Sequence, residues 1–443
     1  MSEPEECANE PKPYRGSGPF LQTVPPLSLP MRHFAFATVA FWIFSAAFAW
    51  GADRLVGFDF DARWALGLVH TLTLGWIGMT ILGALSQMIP AHGQVPLAAP
   101  KVIASAWWLF AGGIIGFVGA LWHGSDLYWI PALALFASVT LYLYGLGRTL
   151  ARAEKLDWTG SHLCFSLGYL ALLALLGLLL AYDRERGLLF CDPGGVLFAH
   201  VHLALIGFVS LTILGASYRL VAAITLTHLE TPALGRWALG LVNAGLLGLA
   251  GDSLFFGHRW LWLWACVLAA GYACYAWQAR SLLKGQSRDP ASGFVLLALL
   301  GGGVWTGLGL CLAFGWIEDT TQARAAYVFT ALLGWVTPWI LGQIHKIAPF
   351  LIWLHVYSPR NWKPPVRVPK IEDLTSRSLA WVELALLAPA IYMGVVGFLL
   401  ERVVLLRVSG ILLLCASTVY VANMILTLKH LFRRDPRWSS PPF

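Results

Sequence analysis

The stretch FAHVHLALIGFVSLTILG, residues 198–215, sets two histidines one residue apart at the head of a long apolar run. It has relatives within the same chain. HTLTLGWIGMTILGALSQMIPA (70–91), HLALIGFVSLTILGASYRLVAA (202–223) and FTALLGWVTPWILGQIHKIAPF (329–350) align without gaps. They match at Gly75, Gly207 and Gly334, and again at an Ile-Leu-Gly that ends in Gly83, Gly215 and Gly342. Glycine is common wherever membrane helices touch, so single matches mean little. The same two matches at a near-constant interval indicate a repeat, and a repeat is read before anything else.

What repeats is a group of four apolar runs. The chain is 58% hydrophobic and 12% charged, with a mean hydropathy of +0.67. A soluble protein of this size does not have that balance, so lipid is the solvent for most of it. Each run is about 20 residues or longer, enough to cross a hydrocarbon core of about 30 Å. Twelve are expected, at about 32–51, 64–90, 100–122, 127–150, 158–182, 194–222, 233–255, 259–282, 291–316, 322–355, 376–400 and 403–431. The fold expected is an all-α polytopic membrane protein, with twelve transmembrane helices as three arcs of four in a pseudo-threefold repeat. The repeat units run about 32–150, 158–282 and 291–431. Polar tails cover 1–31 and 432–443, and the first carries no signal-peptide pattern.

Charge gives the orientation. With the N-terminus inside, 22 of the 30 Lys and Arg fall on the cytoplasmic side, which places both termini in the cytoplasm of a bacterial-type inner membrane. The net charge of +7 is therefore a topology signal. Its basic residues are scattered through loops and form no surface for nucleic acid. The Pro- and Lys/Arg-rich segment 357–376 suits anionic headgroups. The seven cysteines include no C-x-x-C pair and no C-x-x-C-H for covalent heme attachment.

The histidines carry the chemistry. His33, His92, His123, His228, His258 and His430 fall at helix ends or in loops, the ordinary place for a solvated or capping imidazole. His162, His345 and His355 lie in spans and suit structural hydrogen bonds as well as ligation. His70, His200 and His202 stand apart. His70 and His202 occupy one repeat position, five residues before the shared glycine, where the third copy has Phe329. That depth is roughly 10 Å below the outer interface at about 1.5 Å per residue. An ionisable side chain there is costly and usually faces a site. A metal relieves the cost by using one ring nitrogen, although hydrogen bonding between helices is the plainer use. At about 100° per residue His200 and His202 point to opposite sides of their helix, so they serve two flanks and cannot chelate one small ion. Asp252 and Glu383 are intramembrane carboxylates, suited to proton handling or to helix-end and interhelical hydrogen bonds.

With these residues the chain resembles subunit I of the heme-copper oxidases and nitric oxide reductases, most closely the C-type (cbb-type) oxidase subunit. LVHTLTLGWIGMTILGALSQMIPAH (68–92) is similar to that family's second helix, which opens on a heme-ligating His. The resemblance implies twelve helices in three arcs, heme b (one or two), and a redox partner, either a cytochrome or quinol, or a partner subunit. It implies electron transfer or nitric oxide/oxygen chemistry, with His70 matching the family's heme ligand and His202, or His200, on the helix that gives a copper ligand there. For a heme in this chain His70 and His202 are the leading axial ligands, with His200 beside them. Two departures bear on activity. Tyr327 and Phe329 stand where the family has H-x-H on helix 10, and the seventh span has no His for copper. Copper is possible, but its usual ligands are not seen, and whether the chain is an enzyme stays open. By the repeat, a heme between the second and sixth helices would be equivalent to the family's low-spin heme between the second and tenth. A solute transporter, or a cofactor-free structural subunit on the same scaffold, is the alternative.

Overall fold

The computed structural model describes residues 25–56, 62–153, 157–218, 232–283, 289–357 and 369–432. Cys7, His228, most of both polar tails and the core of the 357–376 segment lie outside the described residues. Helix accounts for 87% of the structure, and no strand occurs among the described residues. The protein is an all-α polytopic membrane protein.

Among the described residues eleven helices are long and apolar enough to cross a membrane. They are α1 (Ser28–Trp50), α2 (Arg63–Gly93), α3 (Pro100–Trp122), α4 (Asp126–Leu150), α5 (Trp158–Asp183), α6 (Pro193–Ala216), α7 (Ala233–Phe255), α9 (Pro290–Ala313), α10 (Thr321–Tyr357), α11 (Arg377–Leu399) and α12 (Val403–Leu431). The segment expected at 259–282 is also helical, as α8 (Leu261–Ala279). It has 19 residues, is followed by a 3-10 turn (Arg280–Leu283), and is not among the eleven. Local chemistry sets where helices begin. Asp192 and Asp289 each precede a proline at the first helical position and accept a backbone N–H of the first turn. Asp157, Thr320 and Ser376 cap α5, α10 and α11 in the same manner.

Three helices are central. In α2, α6 and α10, 72, 72 and 89% of the apolar window is buried, against 28–50% in the other eight. Around them the chain closes a circuit in which α12 packs against α1. All three central helices carry a π-helical segment at the matched repeat position: Thr71–Gly78, Leu203–Ser210 and Thr330–Val336. π-Segments are rare and cluster where function has reshaped a helix. Here hydroxyls serve the widened turn: Ser210 Oγ donates to Leu205 O at 2.7 Å, and Thr337 Oγ1 donates to Leu332 O at 2.8 Å.

The same hydroxyls join the centre. Trp76 Nε1 on α2 donates to Thr337 Oγ1 on α10 (3.3 Å), and Trp335 Nε1 on α10 donates to Ser210 Oγ on α6 (2.9 Å). The donor stands one residue after the shared glycine and the acceptor three after it. The third set of equivalents, Phe208 on α6 and Gly78 on α2, has neither donor nor acceptor. The later glycine of each helix has a packing reason too. A Cβ at Gly83, Gly215 or Gly342 would come 2.6, 2.9 or 3.0 Å from the Cβ of His33, His162 or Phe294, on α1, α5 and α9.

Between α9 and α10 the backbones themselves touch: a Cβ on Gly301 would lie 2.0 Å from Gly334 O. Backbone cannot rotate aside as a side chain can. Gly301→Ala is expected to destabilise the bundle by about 3 kcal/mol, the upper end of ordinary overpacking. Thermal unfolding in detergent checks this, with Gly303→Ala, where the nearest atom is a tyrosine hydroxyl at 3.9 Å, as the tolerated control.

Candidate functional site

The clefts between the three central helices hold the candidate residues. Each cleft pairs the residue five before the shared glycine on one helix with the residue seven before it on the next. The α2/α6 cleft has His70 and His200, the α6/α10 cleft has His202 and Tyr327, and the α10/α2 cleft has Phe329 and Leu68. The series runs from two imidazoles, through an imidazole and a phenol, to wholly apolar.

In the first cleft, α2 is pinned at its start, where Arg63 pairs with Asp126 and, at 3.0 Å, with Glu185, two residues past the end of α5. Two turns on, His70 Nδ1 donates to Leu66 O at 2.7 Å, and its ring meets the edge of Phe117 at 5.1 Å. His200 Nδ1 donates across to Leu173 O of α5 at 3.1 Å. Gly177, one turn further along α5, gives the His200 ring its place, since a Cβ there would come 3.0 Å from Cε1. The two rings are close enough to interact electrostatically. A carbonyl only accepts, so Nδ1 carries the proton in both rings and Nε2 holds the lone pair. Neither Nε2 has a hydrogen-bond partner among the described residues. Both side chains are half-buried.

In the second cleft His202 Nδ1 donates to Phe198 O at 2.8 Å, and Nε2 accepts the Tyr327 hydroxyl at 3.1 Å. Its ring tilts over Phe198 at 4.1 Å, and Phe198 meets His258 at 4.7 Å. At the start of α10, Arg324 donates to Asp319 at 2.6 and 2.7 Å. That hydrogen bond holds the Asp319 carboxyl below its ordinary range and fixes the turn that precedes Tyr327. The third cleft is filled by Phe329 against Phe48 (5.5 Å) and Phe398 (5.4 Å), and only about 50 Å³ stays open there.

The two histidines of the H-x-H thus face different flanks. His200, and not the leading candidate His202, stands on the His70 side. Tyr327, which the sequence marked only as a missing histidine, is the partner of His202. Its signal was its place, seven residues before Gly334.

The other candidates lie apart from these clefts. His345 Nε2 and Glu383 Oε2 are hydrogen-bonded at 2.9 Å, and both groups are buried. Asp252 closes the turn after α7: its Oδ2 accepts Trp260 N at 2.9 Å, and its backbone oxygen accepts the N–H of Phe256 and of His258. His355 Nδ1 donates to Leu351 O at 2.9 Å near the end of α10. His33, expected as a solvated or capping group, is instead fully buried, because Leu29 O and the Tyr142 hydroxyl, at 2.6 and 2.7 Å, use both ring nitrogens. His430 is likewise buried, against Tyr357.

Among the described residues no three His, Cys, Asp or Glu side chains converge as a metal cage. A bare transition ion takes three or four protein ligands, whereas a heme brings four nitrogens of its own and needs only one or two. The His70–His200 cleft supplies that smaller set. Searches against protein-family models and against curated proteins found no match to this chain.

Tyr327→Phe removes the one donor to the buried His202 Nε2 among the described residues. It is expected to cost about 1–3 kcal/mol in detergent unfolding, the penalty of a buried acceptor left unsatisfied. Tyr327→Leu with His202→Phe, which copies the Leu68–Phe329 cleft, is expected to recover most of that loss.

Proposed function

We propose that this chain is a b-type heme protein of the membrane, resembling heme-copper oxidase subunit I, that transfers electrons through a heme held between α2 and α6 by His70 and His200. Its fold in this reading is twelve helices as three arcs of four, with α2, α6 and α10 innermost. The matched π-segments and the shared-glycine contacts with α1, α5 and α9 support that arrangement. Both termini lie in the cytoplasm of a bacterial-type inner membrane, in keeping with the distribution of Lys and Arg.

The observation that carries the reading is the His70–His200 cleft. Two half-buried imidazoles on facing helices have their Nδ1–H groups tied to backbone carbonyls and their Nε2 lone pairs unclaimed. That tether is how ligating imidazoles are oriented, because it fixes the tautomer and strengthens the donor nitrogen. Heme b, when bound, supplies a one-electron iron(III)/iron(II) couple. The chain's part is to hold the two rings, to keep their protons on Nδ1 and to keep bulk water out with Phe117 and the α5 wall. Were both rings to ligate the iron, no site would be left for a gas, which would favour electron transfer. A redox partner, either a cytochrome or quinol, or a partner subunit, exchanges the electrons. The neighbouring cleft does not fit copper, since His202 already accepts Tyr327 and no third ligand converges among the described residues.

A reduced-minus-oxidised optical spectrum of the detergent-purified protein tests this. Sharp low-spin α and Soret bands are expected, lost in His70→Ala and in His200→Ala, kept in His202→Ala and unchanged by carbon monoxide. Protein from heme-replete cells with no heme, or bands lost in His202→Ala but kept in His200→Ala, would contradict it. A carbon monoxide shift would move the reading to nitric oxide or oxygen chemistry.

A further inference from the structure

At the end of the bundle where α1 begins, a cavity of about 450 Å³ opens between α2, α10 and α11. Its wall is mostly apolar, with Met88, Phe350 and Leu354 among its residues, and His345 lines it. It also reaches residues beyond the spans, such as Ile371 and Thr375, so it leads out of the membrane-spanning region. The charged groups on it are Lys346, paired with Asp289, together with Glu372 and Arg377.

Behind His345 stands Glu383 of α11, wholly buried, with Oε2 on His345 Nε2 and with Oε1 lacking a partner among the described residues. The His345 ring also meets Tyr420 at 5.8 Å, and the Tyr420 hydroxyl is hydrogen-bonded to Thr38 Oγ1 at 3.3 Å. Tyr420 is the other titratable group against the pair.

Packing gives no reason for this pair. The repeat places Ser86 and Tyr218 at the position of His345, three residues after the later shared glycine, so helix contact at that level needs neither an imidazole nor a carboxylate. Replacing a buried ionisable pair with apolar groups is commonly neutral or stabilising, and ionisable groups inside a span are costly. The His345 tautomer is also free where others are tied. His33, His70, His162, His202 and His355 all bond Nδ1 to the carbonyl four residues back, whereas no such bond forms at His345. With Nε2 on Glu383, Nδ1 is the nitrogen left for the cavity. At about 30 Å³ per water molecule, the cavity has room for on the order of ten.

We propose that the His345–Glu383 pair is a proton-binding site in the membrane, loaded through this cavity from the cytoplasmic end. A proton that arrives from the bulk as hydronium in the cavity water bonds to His345 Nδ1 and leaves a water molecule behind. The Nε2–H bond breaks as its proton passes to Glu383 Oε2, which leaves a neutral imidazole and a neutral carboxylic acid. The net change is one proton bound, and no electron moves. The site stands independently of the heme.

Infrared spectroscopy of the full chain in lipid nanodiscs tests it, through hydrogen–deuterium exchange of the carboxylic C=O band as pH is lowered. A protonated-carboxyl band is expected that is missing in Glu383→Gln. In Ala380→Leu, which fills the cavity wall one turn from Glu383 and leaves the pair intact, its exchange is expected to slow at least tenfold. A band that survives Glu383→Gln, or exchange as fast in Ala380→Leu as in the unaltered chain, would overturn the proposal. Should Glu383→Gln fail to fold, the Ala380→Leu comparison decides. No heme signal enters the readout, so failure here and failure of the heme reading are separately visible.

Discussion

A hydrogen bond from an imidazole Nδ1–H to a backbone carbonyl controls what the central rings of this bundle can do. In lipid there is no water to satisfy a stray donor, so a buried ring must place its proton on a fixed acceptor. His70 and His202 use the carbonyl four residues back in their own helix, and His200 uses Leu173 O of the neighbouring helix. Each ring is thereby left with one outward lone pair at Nε2. At His202 that lone pair takes the Tyr327 hydroxyl, and at His70 and His200 it is unclaimed. The difference between a claimed and an unclaimed imidazole lone pair is thus one hydroxyl group.

The three clefts show how one scaffold is specialised. Each is built from the same two repeat positions, and the side chains at those positions decide its chemistry. Phe329 with Leu68 closes the third cleft with apolar packing, reinforced by Phe48 and Phe398. His202 with Tyr327 closes the second with a hydrogen bond. Only the first retains two unclaimed donor nitrogens. The central Trp contacts obey the same logic, since two of the three possible Trp–hydroxyl bonds form and the third set of positions holds Phe208 and Gly78. The bundle keeps a shared geometry while its polar features are distributed unevenly around it.

Much of this was legible in the residues. Apolar runs gave the spans to within a few positions, and the glycine matches gave the interval at which the three π-segments recur. The 200° between His200 and His202 foretold that they face different flanks. Which neighbour each flank meets depends on how α6 is rotated against α2 and α10, and no local pattern encodes that. The lead pairing of His70 with His202 rested on equal depth, yet rings at equal repeat positions point into successive clefts. His345 and Glu383 were each visible as polar residues within apolar spans. Their contact bridges 38 positions and two helices, so it emerges only from packing. The span expected at 259–282 is helical over nearly the same residues, as α8 and a 3-10 turn through Leu283.

Electron paramagnetic resonance of the oxidised, heme-loaded protein tests the central claim most directly, because it reads the ligands on the iron. Axial ligation by His70 and His200 predicts a rhombic low-spin ferric signal typical of two imidazoles, one per chain, with no high-spin signal. A high-spin ferric signal as the main species would mean that one axial position is open, and the paired-imidazole account of this cleft would be wrong.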